Sequence, residues 1–345
     1  MGRAKLSISV LITPREIVAR LDEYVIGQTA AKRALAIAAY AHMRRIRGDL
    51  KGQKKSNVLL IGPTGSGKTL LAKHLADVMD VPFSTADATE YTAAGYYGKD
   101  VELMLSDLLK ACEDDSERAG RGMIFLDEID KLARKSIGDY KTGSVRDIGG
   151  EGTQQALLKL FDDKDASVQE GDGFSKKTVV LHTKDILFIC AGTFTDLYGD
   201  LEARRLIGFS DGKTDSRAKR RLIETKDLVS YGMLPELLGR IPVVVELKPL
   251  DLHDLERVLT EPADSITKEF TDRLAADEVE LIIQKNALQE IARHAMNRNT
   301  GARGLRAIME HVCADLFFEA PERKGDKIKI NAAYVRARLA SFSNR

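Results

Sequence analysis

The chain has no tryptophan and only three cysteines in 345 residues. Cys112, Cys190 and Cys313 stand too far apart for a C-x-x-C metal knuckle, and their scarcity fits a reducing compartment. An excess of charge of either sign is missing too. The 53 basic and 52 acidic residues leave a net +1, which gives no global attraction to nucleic acid or an anionic membrane. No apolar run reaches the roughly 18 residues that a membrane-spanning helix requires. The segment Met1–Leu11 is too short and too polar for a secretory leader. The six histidines are scattered and suggest no ligand set. What remains is a cytoplasmic globular chain, 43% apolar and 30% charged, long enough for about two domains.

What is present is concentrated in a few stretches. Gly62-Pro63-Thr64-Gly65-Ser66-Gly67-Lys68-Thr69 fits a phosphate loop. It follows an apolar run, Asn57–Ile61, and opens a helical pattern at Leu70. Strand, glycine-rich turn and helix form the context in which backbone N–H groups and a helix N-terminus cradle phosphates. Lys68 is then the group for the β- and γ-phosphates of a nucleoside triphosphate, and the Thr69 hydroxyl a ligand for Mg²⁺. A second apolar run, Gly122–Leu126, closes on Asp127-Glu128. An Asp at a strand end holds Mg²⁺ through its water shell, and a neighbouring Glu polarises an attacking water, so this pair favours hydrolysis.

The remaining pattern predicts an α/β fold. Thr13 with Glu16 reads as a capping box opening a helix to about Asp22, and an alanine-rich helix runs from about Thr29 to Arg47. Further strands are expected at Val81–Ala86, Ile186–Ala191 and Val243–Leu247, in a parallel sheet flanked by helices. After about Pro249 the pattern changes to a smaller, mainly helical α+β unit. Its strands are expected at Val279–Ile283 and Lys327–Ile330, its main helices at Ala287–Asn297 and Gly301–Phe318. The expected domains are thus 1–249, with a short extension over 1–12, and 250–345. Three polar stretches, Lys135–Gly152, Asp163–Lys177 and Gly199–Arg221, read as long loops.

Together these residues resemble the AAA+ ATPases, and within them the ClpX unfoldases, from about Thr13 to Ile330. The resemblance implies a P-loop large domain with a small C-terminal lid. Val25 and Ile26, in Tyr24-Val25-Ile26-Gly27-Gln28, are implied to pack on the adenine. Gly62 to Thr69, with Leu70, is the Walker A element and Asp127-Glu128 the Walker B element. Thr193 falls at the sensor-1 position, Arg240 matches an arginine finger lent to a neighbouring subunit, and Arg303 in Gly301-Ala302-Arg303-Gly304 matches sensor 2. Gly149–Leu160 is close to the family's helix after the second pore loop. Tyr96 and Tyr97 in Gly95-Tyr96-Tyr97-Gly98, with Arg146, are implied to grip a polypeptide in a ring pore. Ile207-Gly208-Phe209 resembles the tripeptide that docks on the ClpP peptidase.

The expected function is therefore ATP- and Mg²⁺-dependent unfolding and translocation of protein by a homo-oligomeric ring, a hexamer in the family's manner, feeding a ClpP-like peptidase. The alternative is a non-proteolytic remodeller. Neither nucleic acid nor membrane is an expected partner. The protease motor HslU resembles the core, but its large insertion has no counterpart between Gly98 and Gly122. Two departures from the ClpX pattern stand out: the four-cysteine zinc-binding domain is lacking, and Ser167–His182 holds Lys176-Lys177 but no Arg-Lys-His triplet.

Overall fold

The computed structural model describes residues 11–50, 52–92, 99–133, 148–170, 177–197, 199, 223–298 and 300–342. The expectations for Tyr96, Tyr97, Arg146, Ile207, Gly208 and Phe209 lie outside the described residues.

Helix α1 (Pro14–Asp22) opens on a reciprocal cap: the Thr13 N–H donates to Glu16 Oε2 at 2.6 Å, and the Glu16 N–H donates to Thr13 Oγ1 at 3.3 Å. Helix α2 (Thr29–Ile46) buries Leu35, Ala36, Ala39 and Met43. Strand β1 (Val58–Ile61) leads to α3 (Lys68–Met79), followed by β2 (Phe83–Asp87), the two-residue strands β3 (Tyr91–Thr92) and β4 (Lys99–Asp100), α4 (Leu103–Lys110) and α5 (Ser116–Ala119). Strand β5 (Met123–Asp127) runs into a 3-10 turn, Ile129–Leu132. Helix α6 (Ile148–Phe161), β6 (Asp165–Glu170), β7 (Lys177–His182), β8 (Leu187–Gly192), α7 (Thr225–Tyr231), α8 (Pro235–Leu238) and β9 (Val243–Glu246) follow.

Five strands form one parallel sheet in the order β2-β5-β8-β1-β9. Every residue of β1 and β8 is buried, and in β5 all but the last. That explains their near-continuous apolar runs: a parallel strand covered on both faces has no polar side to display. Leu59, Ile61, Ile124, Leu126, Phe188 and Cys190 join one core with α4, α6 and α8. Each fully buried large aliphatic side chain contributes about 2 kcal/mol. Asn57 is the polar exception, 1% exposed. Its Oδ1 accepts from the Phe188 N–H at 3.2 Å, and its Nδ2 donates to the Arg240 carbonyl at 2.9 Å, which fixes the start of the sheet.

The polar stretch Asp163–Lys177 is not one long loop. Strands β6 and β7 pair antiparallel, from Asp165 opposite His182 to Glu170 opposite Lys177. Val168 and Leu181 are buried while Ser167 and Val180 face outward. Only one or two small apolar residues per strand point inward, too few to register as a strand pattern. The stretch Lys135–Gly152 likewise ends earlier than expected, because α6 begins at Ile148. A Cβ at Gly150 would lie 2.7 Å from the Leu132 carbonyl oxygen, so the glycine there permits close packing of helix on turn.

The C-terminal part contains α9 (Leu252–Thr260), α10 (Ile266–Ala275), β10 (Glu280–Ile283), α11 (Lys285–Asn297), α12 (Gly301–Glu319), β11 (Lys327–Ile330) and α13 (Ala332–Phe342). Strands β10 and β11 pair in parallel, and Leu259, Phe270, Ile291, Met309, Val312 and Val335 share a separate core. Contacts divide the chain into two compact units. The larger comprises Met1–Val18, Ala30–Gly62 and Ala72–Leu247. The smaller comprises Ala19–Thr29, Pro63–Leu71 and Lys248–Arg345. Among the described residues no helix is long and apolar enough to cross a membrane.

Candidate functional site at the strand ends and the phosphate loop

In the larger unit three strands deliver chemistry to one edge of the sheet. The Gly62 N–H donates to the Gly192 carbonyl at 3.1 Å, continuing the β1–β8 ladder to the point where the phosphate loop begins. Beside it, Leu126 of β5 pairs with Cys190 of β8. The carboxyl ends of β1, β5 and β8 thus place Gly62, Asp127-Glu128 and Thr193 along that edge, where ligands of parallel α/β sheets bind.

The turn after β5 is held by its own carboxylates. Glu128 is in the left-handed region at φ 57°, ψ 30°, unusual for a residue with a side chain, and its N–H donates to Asp127 Oδ1 at 2.9 Å. The Glu128 side chain is exposed and Asp127 half-buried. Asp130, 5% exposed, reaches across to β8. Its Oδ2 accepts from Thr193 Oγ1 at 3.0 Å and from the Phe194 N–H at 3.2 Å. Phe194 is itself left-handed, at φ 49°. Because the Thr193 hydroxyl proton is committed to Asp130, what Thr193 offers outward is acceptor capacity, and Thr195 Oγ1 already donates to it at 3.4 Å. Asp130 was missed in the sequence. The only available signal was a third acid, three residues after Asp127, with an apolar residue between.

The smaller unit holds the phosphate loop itself. Gly65 sits at φ +76°, and a Cβ there would meet the Thr300 carbonyl oxygen at 2.7 Å and Gly301 Cα at 2.9 Å. The Ala302 N–H donates to the Gly65 carbonyl at 3.3 Å. The N-terminus of the 19-residue helix α12 is therefore seated directly on the loop, with Arg303 in its first turn. Unpaired N–H groups and positive potential at such a terminus favour an anion. Arg303 is exposed and makes no ion pair among the described residues, whereas Arg306 forks onto the Glu269 carboxylate and holds its pKa down through that hydrogen bond. Lys68 is 8% exposed and its Nζ donates to the Pro63 carbonyl at 3.1 Å. Ser66 Oγ is buried with no hydrogen-bond partner, an unsatisfied donor inside a loop of inward-turned backbone. Thr69 is half-buried, Leu70 is 40% exposed, and Pro63 and Thr64 are exposed.

Val25 and Ile26 are 4% and 6% exposed, and Val25 Cγ1 lies 4.0 Å from the Cβ position of Gly67. The adjoining Gln28, left-handed at φ 54°, clamps Lys248: Oε1 accepts from the Lys248 N–H at 3.0 Å and Nε2 donates to the Lys248 carbonyl at 2.7 Å. Nε2 also lies 3.3 Å from the Ser66 carbonyl. Gln28 is a second residue whose role no spacing announced, since its partner is 220 positions away. In the larger unit, Arg240 Nε stands 2.9 Å from Asp162 Oδ1, and its side chain remains 44% exposed.

A parallel sheet with a phosphate loop after β1 and acids at the end of β5, one strand removed across β8, defines a nucleotide-hydrolysing protein. The family model described as AAA domain (Cdc48 subfamily) matches residues 53–244, and the model for the C-terminal, D2-small domain of ClpB protein matches 250–330. The chain is thus an ATPase of the AAA class, of mixed α/β fold with a smaller helical C-terminal region. It is also 44% identical over 331 residues to the ATP-dependent Clp protease ATP-binding subunit ClpX of Borrelia duttonii, covering 91% of this chain and 76% of that one. The corresponding subunit of Treponema denticola is 46% identical over 91% of this chain and 79% of its own length. ClpX 2 of Wolinella succinogenes is 44% identical over 92% and 80%. The chain belongs to the ClpX family.

Proposed function

We propose that the chain is an ATP-driven protein unfoldase and translocase that works as a homo-oligomeric, hexameric ring in the cytoplasm and passes substrate to a ClpP-like peptidase. The observation that carries this reading is the seating of α12 on the phosphate loop at Gly65, because it couples a helical lid to the phosphate-binding backbone. The names of the relatives support the protease partnership, and the two family models, which stop at 244 and resume at 250, support an ATPase domain over 1–249 and a lid over 250–345.

In this reading Lys68 and the N–H groups of Gly65 to Thr69 hold the β- and γ-phosphates, while Val25, Ile26 and Leu70 supply apolar surface for the base. The buried, unpartnered Ser66 hydroxyl fits a phosphate. Thr69 and Asp127 would hold Mg²⁺, which neutralises phosphate charge. Glu128, exposed at the strand end, takes the proton of the attacking water. Thr193 orients by accepting a hydrogen bond, and Arg303 spreads phosphate charge from the lid side. Arg240 is the finger lent to the neighbouring protomer, and its ion pair with Asp162 must open for that reach. Tyr96, Tyr97 and Arg146 grip the polypeptide, and Ile207-Gly208-Phe209 docks the peptidase.

The test is Glu128→Gln, assayed for ATP binding, ring assembly and degradation of an unfolded protein with a ClpP-type peptidase. Binding and assembly should persist while hydrolysis falls by at least ~100-fold, the scale of a lost general base. Brisk hydrolysis by that variant removes Glu128 from the role, and wild-type rings that never degrade substrate with the peptidase refute the unfoldase reading.

A further inference from the structure

Helix α6 carries a side chain that no step above uses. Gln154 is completely buried. Its Nε2 donates to the Leu132 carbonyl at 2.7 Å and lies 3.3 Å from the Gly232 carbonyl, while its Oε1 accepts from the Leu234 N–H at 2.8 Å. Both amide hydrogens and one acceptor lone pair are thereby engaged by backbone. Leu132 ends the 3-10 turn that starts directly after Glu128. Gly232 and Leu234 form the turn between α7 and α8, and α8 leads within two residues to Arg240, whose N–H bonds to the Leu237 carbonyl. One planar amide thus ties the segment behind the Walker B glutamate to the segment that presents the arginine. The close approach of Gly150 to the Leu132 carbonyl holds the helix against the first of these segments.

We propose that Gln154 is a positioning residue that couples the Glu128 turn to the Arg240 element within one protomer, so that the state of a subunit's own hydrolytic centre sets the placement of the finger it lends to its neighbour. This inference rests on the roles assigned above to Glu128 and Arg240. A planar amide with both donors and its oxygen engaged cannot follow a shift of Leu132 without pulling on Gly232 and Leu234, and in a buried site the alternative is unsatisfied backbone.

The experiment uses the full chain with Gln154→Met, a change of similar volume that removes both donors and the acceptor. The expected result is a kcat for ATP at least tenfold lower, with KM within twofold and the Hill coefficient reduced toward one. The core substitution Ile291→Val in the smaller unit serves as a control for lost stability alone and should leave kcat unchanged. A folded Gln154→Met with kcat within twofold of wild type overturns the inference while leaving the ATPase reading intact, whereas a wild type that hydrolyses no ATP overturns both. Should Gln154→Met fail to fold, amide exchange on the wild type decides. Protection of the Leu234 N–H should differ at least fivefold between ADP and a slowly hydrolysed ATP analogue, and equal protection overturns the inference.

Discussion

Asp130 offers the sharpest test of how the strand ends are organised, because a single oxygen carries both of its bonds. Oδ2 accepts from Thr193 Oγ1 and from the Phe194 N–H, and both Asp130 and Phe194 are buried. Asp130→Asn can place its amide oxygen where Oδ2 now sits. Two charge-assisted bonds then become two neutral ones, but relief from burying a charge offsets part of that loss, for a net cost of about 1 kcal/mol. Asp130→Ala removes both bonds and strands the Phe194 N–H in the core, next to a left-handed backbone that nothing then supports. Two lost bonds and one orphaned donor cost about 4 kcal/mol. The protein lacks tryptophan, so urea unfolding is followed by far-ultraviolet circular dichroism. Nucleotide turnover should separate the variants as well: the Asn form stays within about threefold of wild type, and the Ala form, with Thr193 untethered, falls at least ~10-fold, the scale of a lost positioning contact. If the two variants differ by less than about 1 kcal/mol, the carboxylate does not organise Thr193 and Phe194 as argued.

Two further results follow from other parts of the structure. Gly65→Ala meets both a positive φ and backbone atoms at 2.7 and 2.9 Å, whereas Gly325→Ala in the same unit meets a positive φ with nothing within 4 Å. Nucleotide affinity by titration should fall at least ~10-fold for the first and stay within about twofold for the second, since strain alone costs only about 1 kcal/mol; equal affinities would show that the loop does not depend on its contact with α12. Burial of His42, reinforced by the cations Arg45 and Lys55 and opposed by its bond to the Arg121 carbonyl, lowers its pKa from 6.5 to about 4. The unfolded chain therefore takes up the proton first, so stability is complete above pH 6.5 and declines as pH falls through 4, with about 2 kcal/mol lost at pH 5. Urea midpoints at pH 7 and pH 5 measure this, and His42→Gln should flatten the difference. Lys55, lowered by burial to about 8, changes charge above this window.

The sheet was legible because its strands are buried on both faces. Runs such as Ile186–Ala191 have no other explanation in a chain this polar, and the observed Leu187–Gly192 is shifted by one residue. The phosphate loop and the Asp-Glu strand end were legible because their chemistry is compressed into a few adjacent residues. The β6–β7 hairpin was not, since one Val and one Leu pointing inward make no periodic signal. Gln28, Asp130 and Gln154 were illegible for a different reason. Each acts on partners 22 to 220 positions away, beyond any helical turn or strand repeat: Gln28 and Gln154 bond backbone atoms, and Asp130 bonds the Phe194 N–H together with the Thr193 hydroxyl. A side chain that reads backbone leaves no complementary residue type in the sequence.

The two left-handed residues at the strand ends show why such contacts accumulate here. Glu128 and Phe194 terminate adjacent strands, and a left-handed conformation costs each about 1 kcal/mol or more. An extended or helical backbone would relieve both at once, and it would also turn the Glu128 side chain and the Thr193 hydroxyl away from the edge of the sheet. What prevents the relaxation is a carboxylate under each amide: Asp127 beneath Glu128 and Asp130 beneath Phe194. Gly192 is small for the same reason, since a Cβ there would lie 2.6 Å from the Phe194 ring and 2.7 Å from Asp130 Oδ1. Strain that persists under such over-determination is strain put to use. The acids of this turn therefore serve two ends: Glu128 faces outward, in the place the proposed hydrolysis requires, and Asp127 and Asp130 hold the backbone that keeps it there.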